Sequence, residues 1–123
     1  MIAYDFDHQR PLTVEEAVTL LGRAKDAKVL AGGHSLIPLM KLGLAQPATL
    51  VDIGRIAALR EIRVTEGEVT VGALATHQQV AEHETVRERL AALAEAAGAV
   101  GDLQVRARGT IGGSLAHADP AAD

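Results

Sequence analysis

Two Gly-Gly pairs constrain this chain more than any other feature. The first lies in "VLAGGHSLIPLMK" (residues 29–41), between a hydrophobic run and a helix-like apolar pattern. The second lies in "RGTIGGSLAHADPAAD" (residues 108–123). Paired glycines let the backbone bend at positive φ and strip side chains from one face. Successive exposed N–H groups can then cradle an anion, and a following helix N-terminus adds a favourable dipole. Ser35 beside the first pair, and Thr110 and Ser114 around the second, bring hydroxyls that can bond phosphate oxygens. Two such nests could clamp the two phosphates of a dinucleotide, whereas either pair alone also reads as a tight turn. Neither matches G-x-G-x-x-G or the P-loop pattern.

The surrounding elements alternate. Thr13 with Glu16 forms a capping box ahead of the helical pattern "VEEAVTLLGRA". A short strand is expected at residues 28–31. Ser35 is placed to cap a helix over about 36–42, with Pro38 tolerated in its first turn. "TLVDI" (49–53) reads as a buried strand, and "LREIRVTEGEVTVGAL" as a hairpin turning at Glu66-Gly67. Thr76 with Gln79 makes a second capping box, for a short helix through Val80. Thr85 with Glu88 makes a third, for "VRERLAALAEAAGAV", with Leu90, Leu93, Ala94 and Ala97 on one face. "DLQVRARGTIGGS" looks extended. Helices interleaved with strands and a hairpin indicate α+β or α/β.

Composition removes several function classes. The chain has 123 residues and is 48% hydrophobic, enough for a globular core of one domain. Aromatics are only 2%, which leaves little for base stacking. Sixteen acidic against 12 basic residues give a net charge of −4, which argues against a nucleic-acid partner. There is no cysteine, hence no thiol nucleophile and no iron–sulfur ligand on this chain. "MIAYDFDHQR" lacks an apolar signal core, and no run reaches transmembrane length. A cytoplasmic location is the default expectation. The chain stops inside "ADPAAD", a loop-like stretch, which suggests the N-terminal portion of a longer polypeptide.

The histidines and acids give no complete site. His117-Ala118-Asp119 resembles half of a two-His-one-carboxylate site, but no later His completes it. His34, His77 and His83 could converge with it only in principle, and no metal site is expected. His34 more naturally lends its backbone N–H to the first nest. "GGHSL" lacks the G-x-S-x-G elbow of a serine hydrolase. Asp119 before Pro120 reads as a turn former. Asp123 reads as an exposed loop carboxylate, although a carboxylate there could also accept from a ribose diol.

"AGGHSLIPLMKLGLAQPATLVDI" together with "RGTIGGSLAHADPAAD" resembles the FAD-binding medium subunit of the molybdenum hydroxylases, above all the carbon monoxide dehydrogenase and xanthine dehydrogenase branches. The resemblance runs from "YDFDHQRPLTVEEAVTLL" through "VGALATHQQV" to the last residue. It implies an α+β FAD-binding domain of the vanillyl-alcohol-oxidase/p-cresol-methylhydroxylase type. Residues 1–55 would form its first subdomain and 56–123 the start of its second, with the rest of the domain and a C-terminal domain to follow. It implies FAD contacts from Ala31, Gly32, Gly33, His34 and Ser35, and from Thr110, Ile111, Gly112, Gly113 and Ser114. Many relatives have Asn where this chain has Ser114. Asp123 would meet the ribose and Thr76 the vicinity of the flavin.

The resemblance also implies partners. Substrate would be oxidised at a molybdenum–pterin centre in a large subunit. Electrons would cross two [2Fe–2S] clusters in a small subunit to FAD on this chain, and then reach a quinone, NAD or oxygen. The assembly would be a dimer of heterotrimers. The protein positions and tunes the flavin, so no catalytic side chain is expected. The alternatives are a non-redox nucleotide-binding module and a structural subunit that has lost its cofactor.

Overall fold

The computed structural model describes residues 2 and 4–121. The chain divides into two compact units, Met1–Ala57 and Ala58–Asp123. Among the described residues no helix is long and apolar enough to cross a membrane.

The first unit is built on a three-stranded parallel sheet. Its strands are β1 (Asp7–Gln9), β2 (Ala27–Leu30) and β3 (Thr49–Asp52), in the order β1-β3-β2. Thr49, Leu50 and Val51 are all buried, as a central strand covered on both faces requires. β2 starts and ends one residue earlier than expected. β1 carries no apolar alternation and owes its extended form to pairing, with His8 opposite Leu50. Helix α1 (Val14–Arg23) packs on β3 and buries Ala17. Its start is set as expected, with Thr13 Oγ1 accepting from Glu16 N at 3.1 Å. The Glu16 carboxylate reaches one residue beyond the cap, to the Leu12 N–H at 3.0 Å. Helix α2 (Leu36–Lys41) follows the first Gly-Gly pair and buries Met40.

The second unit opens with the expected hairpin, β4 (Ile62–Val64) against β5 (Val69–Val71). Five helices follow: α3 (His77–Glu82), α4 (Glu84–Arg89), α5 (Ala91–Ala99), α6 (Leu103–Arg108) and α7 (Ile111–His117). Ala75, Val80, Val86, Ala94 and Ala97 form the core, flanked by Ile62, Val69, Val71, Ala81, Leu93 and Ile111. Small side chains suit close helix pairs, and α5 packs against both α3 and α4.

Three expectations fail here for local reasons. The cap of α4 is His83, whose Nδ1 accepts from Val86 N, so Thr85 lies inside the helix. Leu90, at φ −130° and ψ 53°, breaks the long helix into α4 and α5 and stays 39% exposed. Residues 103–108 are helical, not extended. Asp102 Oδ1 accepts from Val105 N at 2.9 Å, which supplies a helix start that outweighs the alternating pattern of "LQVRAR".

Candidate functional site

The first Gly-Gly pair connects β2 to α2. The Leu30 carbonyl still accepts a sheet-like bond, from Ile53 N at 3.0 Å. Beyond it the chain turns at Gly33, whose φ of +79° is open to glycine at little cost. A Cβ on Gly33 would lie 2.9 Å from Ile37 Cγ1. The Gly33 carbonyl accepts from Ile37 N at 3.0 Å, which closes the first turn of α2. Among the described residues, none accepts from the N–H groups of Gly32, Gly33, His34, Ser35 or Leu36. Ser35 precedes α2 in helical conformation, φ −102° and ψ −47°, and makes no side-chain cap bond. The expected Ser35 cap is therefore corrected. Its exposed hydroxyl, like the neighbouring amides, remains available to a ligand. These donors without an acceptor among the described residues lie at the first candidate nest.

The second Gly-Gly pair is built differently. Gly112 and Gly113 lie in the first turn of α7, not in a loop. Thr110 is the cap, with Oγ1 accepting from Gly113 N at 3.0 Å and its carbonyl accepting from Ser114 N at 3.1 Å. The N–H of Ile111 donates to Ala75 O at 3.0 Å, and that of Gly112 to Ala73 O at 2.9 Å. Three of the donors that usually remain unpaired at a helix start, those of Ile111, Gly112 and Gly113, are thus used within the protein. The expected second amide cradle is not formed. Gly112 is required by close approach, since a Cβ there would sit 2.6 Å from Ala73 O and 2.7 Å from Ala73 Cβ.

Thr76 joins this second cluster. It forms an isolated antiparallel bridge with Thr110, which is buried. Its side chain and that of Gln79 form the expected reciprocal capping box of α3. The Thr76 hydroxyl is consequently engaged locally. The fold thus brings Thr76, Thr110, Ile111, Gly112, Gly113 and Ser114 together. Asp123 lies outside the described residues. Asp119 forms the expected turn, with Oδ1 accepting from Ala121 N at 2.9 Å.

His77 belongs to the cluster and was not anticipated there. It is the first residue of α3 and is buried, with 5% exposure. Its N–H donates to Gly109 O at 3.0 Å, and its Nε2 lies 3.0 Å from Ser114 Oγ. Burial lowers its pKa below the usual histidine value, which favours neutral imidazole. The available signal was its place directly after the Thr76 cap. The remaining histidines are dispersed in role. His83 caps α4, and exposed His117 lies 4.0 Å from Asp119. No group of three metal-ligating side chains occurs among the described residues.

Comparison with known proteins identifies the family. Residues 4–123 match the family model described as FAD binding domain in molybdopterin dehydrogenase. The carbon monoxide dehydrogenase medium chain of Hydrogenophaga pseudoflava is 50% identical over 124 residues, covering 100% of this chain and 43% of that protein. The 6-hydroxypseudooxynicotine dehydrogenase complex subunit alpha of Paenarthrobacter nicotinovorans is 44% identical, covering 96% of this chain and 40% of that protein. Among solved structures, carbon monoxide dehydrogenase from Hydrogenophaga pseudoflava superposes with a TM-score of 0.95 at 51% identity, over 100% of this chain and 43% of that one. Quinoline 2-oxidoreductase from Pseudomonas putida 86 gives a TM-score of 0.93 at 37% identity, with the same coverage. The chain thus spans about two-fifths of the length of these relatives.

Proposed function

The chain belongs to the family of FAD-binding domains in molybdopterin dehydrogenases, and from that premise we propose that it holds the flavin of a molybdenum hydroxylase. The observation that carries this reading is the nest at residues 32–36. Among the described residues five amides have no acceptor and adjoin a serine hydroxyl that makes no cap bond, and a positive-φ glycine shapes the turn. A diphosphate fits such a donor set, because each N–H contributes partial positive charge at a point where no side chain intervenes. Ala31, Gly32, Gly33, His34 and Ser35 would hold the pyrophosphate. Thr110, Ile111, Gly112, Gly113 and Ser114 would contribute packing and the Ser114 hydroxyl. Asp123 would meet the ribose, and Thr76 would lie near the flavin.

Bound FAD would supply the electron-carrying chemistry, while the residues of this chain bind and orient it. The kinship with carbon monoxide dehydrogenase medium chains supports a place in a complex with a small iron–sulfur and a large molybdenum subunit, assembled as a dimer of heterotrimers. In that setting electrons would enter from [2Fe–2S] clusters and leave to an external quinone, NAD or oxygen. A cytoplasmic location accords with this role.

The test uses the intact polypeptide. It should carry FAD that is released on denaturation and shows the yellow flavin bands. Gly33→Asp should lose it, because a negative charge beside the amides repels the diphosphate and a Cβ at this positive φ presses on Ile37 Cγ1. Gly43→Asp is the control. Gly43 also has positive φ, +71°, but lies beyond α2. Equal FAD occupancy in Gly33→Asp and the unsubstituted protein would refute the assignment of the nest.

A further inference from the structure

We propose that His77 is a positioning residue for FAD, acting through Ser114; the inference rests on the reading that Ser114 meets the cofactor. A helical serine commonly turns its hydroxyl back to the carbonyl four residues earlier. Ser114 does not bond Thr110 O in this way. Among the described residues its Oγ has one partner, His77 Nε2 at 3.0 Å. The two residues are 37 positions apart in sequence, on α3 and α7. Gly109 lies close against His77. The His77 backbone N–H is bonded to Gly109 O, and a Cβ on Gly109 would sit 3.1 Å from the His77 ring. A buried, braced ring therefore points one nitrogen at an exposed hydroxyl.

The hydrogen inventory determines what that hydroxyl can do. Neutral imidazole carries one N–H, on Nδ1 or on Nε2. With the hydrogen on Nδ1, Ser114 must donate to Nε2, and only lone pairs remain to face a ligand. With the hydrogen on Nε2, the ring donates to Ser114 Oγ, and the serine O–H is free to donate outward. Only the second arrangement suits a phosphate or another acceptor on FAD. The geometry points to that tautomer in the loaded protein. His77 then fixes the position of Oγ, leaves its proton for the ligand and polarises the O–H by donating to the same oxygen. The amides of Ile111–Ser114 are consumed internally. The Ser114 hydroxyl is thus the donor of this helix turn that remains for the cofactor, and His77 controls it.

The experiment is a double-mutant cycle on FAD affinity, read by flavin fluorescence after adding FAD to the cofactor-stripped intact protein. Ser114→Ala should weaken binding by about tenfold, the usual worth of a hydrogen bond to a charged group. His77→Leu should weaken it by a similar factor. The double variant should be no weaker than either single one, because both remove the same contact. His77→Gln should restore most of the affinity, since its amide N–H can reach the position of Nε2–H. A merely structural role for His77 predicts equal losses with and without Ser114, and no rescue by Gln. Losses that multiply to about a hundredfold in the double variant would overturn the proposal alone. So would affinity left unchanged by Ser114→Ala. If the unsubstituted protein binds no FAD, the underlying reading falls, and this inference falls with it.

Discussion

Replacing Gly112 by alanine separates a glycine that serves the fold from one that serves a ligand. The new Cβ would lie 2.6 Å from Ala73 O, 2.7 Å from Ala73 Cβ and 2.9 Å from Ala73 Cα. Two of these three atoms are backbone, so no side-chain rotation relieves the contact. Carbon atoms pack at about 3.5–4.0 Å, so α7 must retreat by roughly 1 Å. That retreat stretches the Gly112 N–H bond to Ala73 O, now 2.9 Å, out of range. The lost bond costs about 1 kcal/mol and the overpacking about 1–3 kcal/mol. The better helix propensity of alanine returns about 1 kcal/mol. The net is about 2 kcal/mol of destabilisation, or roughly thirtyfold in the opening equilibrium of this region. Native-state amide exchange across residues 111–117 of cofactor-free protein reads that factor directly. Gly22→Ala is the control, since nothing lies within 4 Å of the Cβ it would add to α1. It should stabilise by up to about 1 kcal/mol. Unchanged exchange across α7 in cofactor-free Gly112→Ala would refute the packing argument. It would return Gly112 to the role of clearing space for a cofactor.

Two further outcomes follow from the same geometry. Without FAD, the N–H groups of Gly32, Gly33, His34 and Ser35 should exchange fast, and FAD should slow them. Those of Ile111 to Ser114 should be protected in both states, and mass-spectrometric exchange with and without FAD checks the contrast. The second outcome concerns pH. The folded pKa of His77 is lowered by burial, so the unfolded chain binds more protons between that value and about 6.5. Its contribution is fully present above about pH 6.5 and is lost as pH falls through the folded value, at no more than about 1.4 kcal/mol per pH unit. Urea midpoints at about pH 7.5 and about pH 5 should differ less in His77→Gln than in the unsubstituted protein, and equal differences would contradict the assignment.

Much of the local structure was legible because short side-chain signals control it. Thr13 with Glu16, Thr76 with Gln79 and the turn at Glu66-Gly67 each act within a few residues, and each appears where expected. The turn at Gly33 was legible for the same reason. β1 was not, because Asp7, His8 and Gln9 become a strand only by pairing with β3. α6 was missed because Leu103, Val105 and Ala107 alternate like a strand while the Asp102 cap starts a helix. Leu103 remains 60% exposed, so that alternation never marked a buried face. The second Gly-Gly pair does not form the expected amide cradle, because the Gly113 amide bonds the Thr110 hydroxyl and the Gly112 amide finds its acceptor at Ala73, almost forty residues earlier. No local pattern announces such a contact, and the same distance hid the pairing of His77 with Ser114.

The strand order β1-β3-β2 also bears on how the first unit is made. β1 and β2 emerge first during synthesis, yet each pairs only with β3 in that sheet. No ladder hydrogen bond of the sheet can form until residues 49–52 have left the ribosome. Until then β2 and α1 wait as unpaired neighbours, with Ala17 of α1 not yet buried. A parallel sheet already rewards its loop closures late. Here one strand closes both ladders at once, so the nascent unit should pass from no sheet to a complete one within a few residues of elongation. A chain stalled short of Thr49 would leave β1 and β2 wholly unpaired for chaperones to meet, and one stalled well past Asp52 would have one side of each closed on β3.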